Sequence, residues 1–94
     1  MSMTATSYFL VEWYGPELLD RPLDEAVAIL DGAASRGTDP VRLMMAVSAP
    51  ADEVIYGVFA AESGAAVRRV CLSAGCPPDR MVNDIDARVV GAPC

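Results

Sequence analysis

Few side chains in this 94-residue chain can do chemistry, and histidine is not among them. Without imidazole there is no Ser-His-Asp or Cys-His nucleophile, no histidine metal triad and no histidine general base. Carboxylates, phenols, thiols and arginines remain. Glu12 stands out because it interrupts an apolar and aromatic run, Tyr8-Phe9-Leu10-Val11-Glu12-Trp13-Tyr14. In an extended segment alternate residues point the same way, so Glu12 shares a face with Tyr8, Leu10 and Tyr14. A carboxylate enclosed there has a raised pKa unless it is paired, and a raised pKa suits proton transfer. The structural alternative is an ion pair with Arg42 or Arg88, from the same chain or a second copy. Glu12 is thus the candidate catalytic residue, and Tyr8, Tyr14, Arg42, Met44 and Tyr56 are the candidate ligand-binding residues.

The thiols and thioethers read as structural. Cys71 and Cys76 lie five apart and lack the two-residue gap of zinc knuckles. Cys71 falls on an apolar helical stripe, as a small buried hydrophobe does. Cys76 precedes Pro77 in a turn, where redox or soft-metal use requires a thiolate-stabilising site. Cys94 is terminal. Met44 and Met45 alternate along a strand, so they are expected on opposite faces as packing residues and not as one thioether site. Arg68-Arg69 reads as a solvated helix face, and Asp79-Arg80 as support for a turn. No metal site and no organic cofactor are expected from these residues.

The elements that position these groups follow from periodicity. Ser7 to Tyr14 is a first strand, closed by Gly15-Pro16, with Glu17 to Arg21 as a connector. Pro22 to Arg36 is a helix: Pro22 suits its first turn, Asp24 and Glu25 lie near its positive end, and Leu23, Ala26, Val27, Leu30 and Ala34 repeat at helical spacing up to Gly37. Val41 to Ser48 is a second strand, with Val41, Leu43, Met45 and Val47 on one face and Arg42, Met44, Ala46 and Ser48 on the other. Ala49 to Glu53 turns the chain into Val54–Ala61, a β-branched and aromatic strand apolar on both sides. Ser63 caps a second helix whose stripe is Val67, Val70, Cys71 and Ala74; Gly75 and the Pro77-Pro78 pair end it. Met81 to Val90 is a last strand, whose Asn83, Asp84 and Asp86 suit a sheet edge.

The order β-α-β-β-α-β is the split βαβ arrangement, an antiparallel four-stranded sheet with two helices on one face. It makes a single α+β domain over residues 7–90, with tails at 1–6 and 91–94 and no linker or repeat. A chain of this length buries only about 60–65% of its unfolded surface, so an additional interface helps it. The strands carry Tyr8, Leu10, Met44, Tyr56 and Val58 on the face without helices, and contiguous exposed patches of that kind are rare on soluble monomers. The expectation is a homodimer through that face, with a cavity between sheet and partner.

Totals narrow the partners. With 13 acids against 7 bases, all arginine, the net charge is −6, which argues against nucleic acid or an anionic membrane surface. At 53% hydrophobic and 21% charged the chain is globular and not disordered. The start lacks the basic n-region of a secretion signal, no apolar run approaches the roughly 20 residues of a membrane helix, and the odd cysteine count fits reduced thiols; a cytoplasmic location is expected.

Three segments, YFLVEWYGP, the hairpin VRLMMAVSAP-ADE-VIYGVF and FAAESGAAVRRVCLSAGCPPDRMV, together resemble the small ferredoxin-like domain family of unknown function that includes nickel-binding actinobacterial proteins. That family's tyrosine-leucine-valine-glutamate strand, proline-acid hairpin and alanine-glycine-x-proline-x-aspartate-arginine turn correspond to Tyr8 to Glu12, Pro50 to Glu53 and Ala74 to Arg80. The resemblance spans about residues 7 to 90 and implies a dimeric α+β fold of the α+β barrel type, with metal or small-ligand binding. Nickel favours imidazole, which this chain lacks, so the fold carries over and the metal does not.

The leading expectation is a homodimeric binding protein that holds a small apolar or aromatic ligand, with a metal as the lesser alternative, between sheet and partner. One alternative is a cofactor-independent enzyme of isomerase, cyclase or oxygenase type using Glu12 as acid or base; another is a structural subunit.

Overall fold

The computed structural model describes residues 6–15, 20–88 and 90–91. Strand β1 (Ser7–Tyr14) leads to helix α1 (Leu23–Arg36), strands β2 (Val41–Ala49) and β3 (Val54–Ala61), helix α2 (Gly64–Ser73) and strand β4 (Arg80–Ile85). The strands form one antiparallel sheet in the order β2-β3-β1-β4. This is the expected βαββαβ, ferredoxin-like α+β fold. The expectations for residues 1–5, 16–19, 89 and 92–94, Cys94 among them, lie outside the described residues.

Both helices cover the same face. Phe9, Val11 and Trp13 from β1 and Ile55 and Phe59 from β3 form one buried cluster with Leu30, Ala33 and Ala34 of α1 and Val67, Val70 and Cys71 of α2. Trp13 meets Phe59 edge-on, with ring centroids 6.3 Å apart. The indole fits because residue 57 is glycine: a Cβ there would stand 2.9 Å from Trp13 Cζ3.

Local chemistry sets the helix ends. Pro22 is the N-cap of α1, and its carbonyl accepts from Glu25 N–H and Ala26 N–H. Ser63 caps α2 by accepting from Ala66 N–H at 3.2 Å. Gly75, at φ +75°, takes the left-handed position after α2. Gly37 ends α1 differently, in extended backbone at φ −73°. The β2–β3 turn is a single 3₁₀ turn, Pro50–Asp52, closed by Glu53 in left-handed geometry at φ 54°.

Two bulges correct the expected alternation. In β2, Leu43 pairs with Phe59 but Met45 pairs with Val58, so Met44 is an extra residue. From there on the faces exchange. Met45 and Val47, expected beneath the helices, instead lie opposite Val58 and Tyr56 on the uncovered face, 43% and 45% exposed. In β4, Val82 pairs with Leu10 and Ile85 with Tyr8, three residues against two, with Asp84 left-handed at φ 52°. Val82 and Ile85 therefore both join the uncovered face. Strand β4 is also shorter than expected, running from Arg80 to Ile85 where the sequence suggested Met81 to Val90. Asp86, Ala87 and Arg88 beyond Ile85 make no ladder, in keeping with the weak strand preference of Asp86.

Candidate functional site

Glu12 lies mid-strand on the uncovered face, next to Tyr56 on β3 and Arg80 on β4. It is 7% exposed and both its carboxylate oxygens are engaged. The Tyr14 hydroxyl donates to Oε1 at 2.6 Å, and Arg80 Nη1 donates to Oε2 at 2.6 Å. Tyr14 reaches Glu12 because residues two apart in a strand share a face. Arg80 reaches it because the first residue of β4 pairs directly with Glu12.

These contacts reverse the expectation for an unpaired carboxylate. The Tyr14 hydroxyl is the larger influence holding the Glu12 pKa below its ordinary value; the Arg80 hydrogen bond and charge add to it, against the opposing effect of burial. The same hydrogen bond raises the Tyr14 pKa, since removing its proton would set two anions side by side. Glu12 is thus an anion at neutral pH, a proton acceptor and not a donor. Its ion-pair partner is Arg80, not Arg42 or Arg88. Arg42 lies opposite Ala60, which pairs with Tyr8 near the other end of the sheet, and Arg88 bonds the carbonyl of Ala87.

The candidate residues fall into two groups on one face. Tyr14, Tyr56 and Arg80 come together around Glu12. Tyr8 stands four residues from Glu12, roughly 13 Å along the strand, with Arg42 and the bulged Met44 nearer its end. Leu10, Val58, Met45, Val47 and Val82 fill the space between or beside the groups. Sequence reasoning missed Arg80, Met45 and Val47 because each depends on a pairing register, and alternation within a strand carries no register.

The turn between α2 and β4 is tied to the end of β1. Trp13 Nε1 donates to the Cys76 carbonyl at 2.8 Å, Tyr14 N–H donates to Asp79 Oδ2 at 2.7 Å, and Asp79 N–H donates to the Glu12 carbonyl at 3.0 Å. Asp79 supports the turn as expected, while Arg80 belongs to the sheet face. A cleft of about 370 Å³ beside this turn is lined by Trp13, Arg21, Ile29 and Cys76 among others. On the helical side Arg68 is solvated, and Arg69 pairs with Asp39 at 2.8 Å. Among the described residues no three Cys, Asp or Glu side chains gather into a metal-binding set, and no helix is long and apolar enough to cross a membrane.

No family model and no curated protein matches the chain. Among solved structures it is similar to the crystal structure of SCO4226 from Streptomyces coelicolor A3(2), with a TM-score of 0.71 and 22% identity over 88% of this chain and 100% of that one. At this identity the likeness shows the fold alone, a small α+β domain spanning essentially the whole of its neighbour.

Proposed function

We propose that the chain is a homodimeric binding protein whose two sheets meet through their uncovered faces and hold a small apolar or aromatic ligand between them. The observation that carries this reading is the extent of that face: Leu10, Met45, Val47, Tyr56, Val58 and Val82 lie side by side on all four strands. Four strands of six to nine residues present on the order of 500 Å² in projection, and side-chain relief brings this towards the roughly 800 Å² per partner of a standard interface. A second copy suits the face electrostatically. Glu12, the buried acid among the described residues, is neutralised by Arg80, so two such faces meet without repulsion between these carboxylates despite a net charge of −6. Tyr8, Tyr14, Arg42, Met44 and Tyr56 supply the polar and polarisable anchors around the ligand.

Native mass spectrometry of the untagged protein tests this. The expected result is a dimer that retains an organic mass; a monomer at micromolar concentration overturns it.

The alternative, a cofactor-independent enzyme using Glu12 as acid or base, is the weaker reading, because the Tyr14 and Arg80 contacts occupy both carboxylate oxygens and lower the basicity of Glu12. If a retained molecule is identified, its turnover by the native protein and its persistence in Glu12→Gln distinguish enzyme from binder.

A further inference from the structure

We propose that Cys71 and Cys76 form a reversible dithiol–disulfide modification site across the C-terminal cap of α2, with a low-molecular-weight disulfide as oxidant. The geometry comes from the cap. Gly75 N–H donates to the Leu72 carbonyl at 3.0 Å and Cys76 N–H to the Cys71 carbonyl at 2.9 Å, with Gly75 left-handed between them. This is the Schellman arrangement, in which the side chains of the third residue from the helix end and the second residue beyond the cap frequently meet. In this chain both of those positions are cysteine. The 2.9 Å bond also limits the separation of the two Cα atoms to roughly 7 Å. Disulfides span Cα separations of about 4.4–6.8 Å, so the backbone already lies near the required geometry.

The two thiols differ in access. Cys71 is fully buried in the core, whereas Cys76 is half-buried and lines the open cleft with Arg21. Burial pushes the Cys71 thiol up to about 12 and raises Cys76 as well, with Arg21 opposing the rise at Cys76. Cys76 therefore attacks first. Its thiolate displaces one thiolate from oxidised glutathione and forms a mixed disulfide. Cys71 then loses its proton and attacks the Cys76 sulfur, displacing the second glutathione thiolate. Two protein thiols are oxidised, one external disulfide is reduced to two thiols, and the two protein protons pass to the released thiolates. The bond would stiffen the turn that receives the Trp13 indole and, through Asp79, holds the end of β1.

The test uses the full untagged chain with Cys94→Ser, equilibrated in glutathione buffers of graded ratio, acid-quenched, alkylated and digested with trypsin. Cleavage after Arg69 and Arg80 places both thiols in one peptide. The expected product is that peptide lighter by about 2 Da and resistant to alkylation. It should persist in buffers at least about tenfold more reducing than those tolerated by the same chain in concentrated urea, because the native cap favours the bond. A mixed disulfide with glutathione as the dominant native species, or a bond no more favoured in the native than in the unfolded chain, overturns the proposal. In Cys71→Ala, with its fold checked by circular dichroism, Cys76 should stop at the mixed disulfide; no adduct on Cys76 would overturn its assignment as the attacking thiol.

Discussion

Arg80 Nη1 donates to Glu12 Oε2 at 2.6 Å, joining the first residue of β4 to the middle of β1 across 68 positions of sequence. Glu12 is nearly enclosed while the Arg80 side chain is 60% exposed, so one side of the pair is desolvated and the other wet. Among the described residues Glu12 is the buried acid, and the pair neutralises it on the uncovered sheet face. Arg80→Gln should therefore cost about 1 kcal/mol, limited by the exposure of the arginine, and chemical denaturation would measure it.

Acid sensitivity follows from Glu12. Its folded pKa lies below the ordinary 4.5, so the stability it contributes is fully present above that value and is lost as pH falls through the folded pKa. Melting temperatures measured from neutral pH down past this range should fall more steeply for the native chain than for Glu12→Gln. Parallel curves would show that the carboxylate is not linked to folding.

Tyr14 should titrate late for the complementary reason. With its pKa raised chiefly by the bond to Glu12, the midpoint of its ionisation followed by ultraviolet absorbance should lie above the ordinary 10, and Glu12→Gln should move it back towards that value. Subtracting the Tyr14→Phe titration isolates the group.

Gly57 is required by Trp13. A methyl group at residue 57 meets Trp13 Cζ3 at 2.9 Å and Phe59 Cε1 at 3.3 Å, so the indole must shift to admit it. Gly57→Ala should destabilise by roughly 1–3 kcal/mol and shift the Trp13 fluorescence maximum.

Val58 sits centrally on the uncovered face, between Leu10 and Met45. In a two-fold dimer Val58→Glu introduces two facing carboxylates into an apolar contact. Sedimentation equilibrium should show dimerisation weakened at least about a hundredfold, corresponding to some 2.7 kcal/mol, with the circular dichroism of the monomer unchanged. Unaltered association would remove this face from the interface.

Much of the architecture was legible locally. Val54–Ala61 occupies the strand its β-branched and aromatic content demands, Ser63 caps α2, and Gly75 and the prolines end it, because capping and steric restriction act between residues a few positions apart. The shared face of Glu12 and Tyr14 was legible too, since it needs only alternation within β1.

What the amino-acid order alone determined is the number, kind and sequence of elements, along with the absence of imidazole chemistry. Tertiary structure decided which faces their side chains join. A one-residue bulge at Met44 turns Met45 and Val47 outward, a second near Asp84 brings Val82 and Ile85 onto the same face, and the β1–β4 register sets Arg80 beside Glu12. The physical reason is the two-residue period of a strand. One unpaired residue inverts everything beyond it, and only the partner strand's hydrogen bonds and the packing beneath determine where that residue falls.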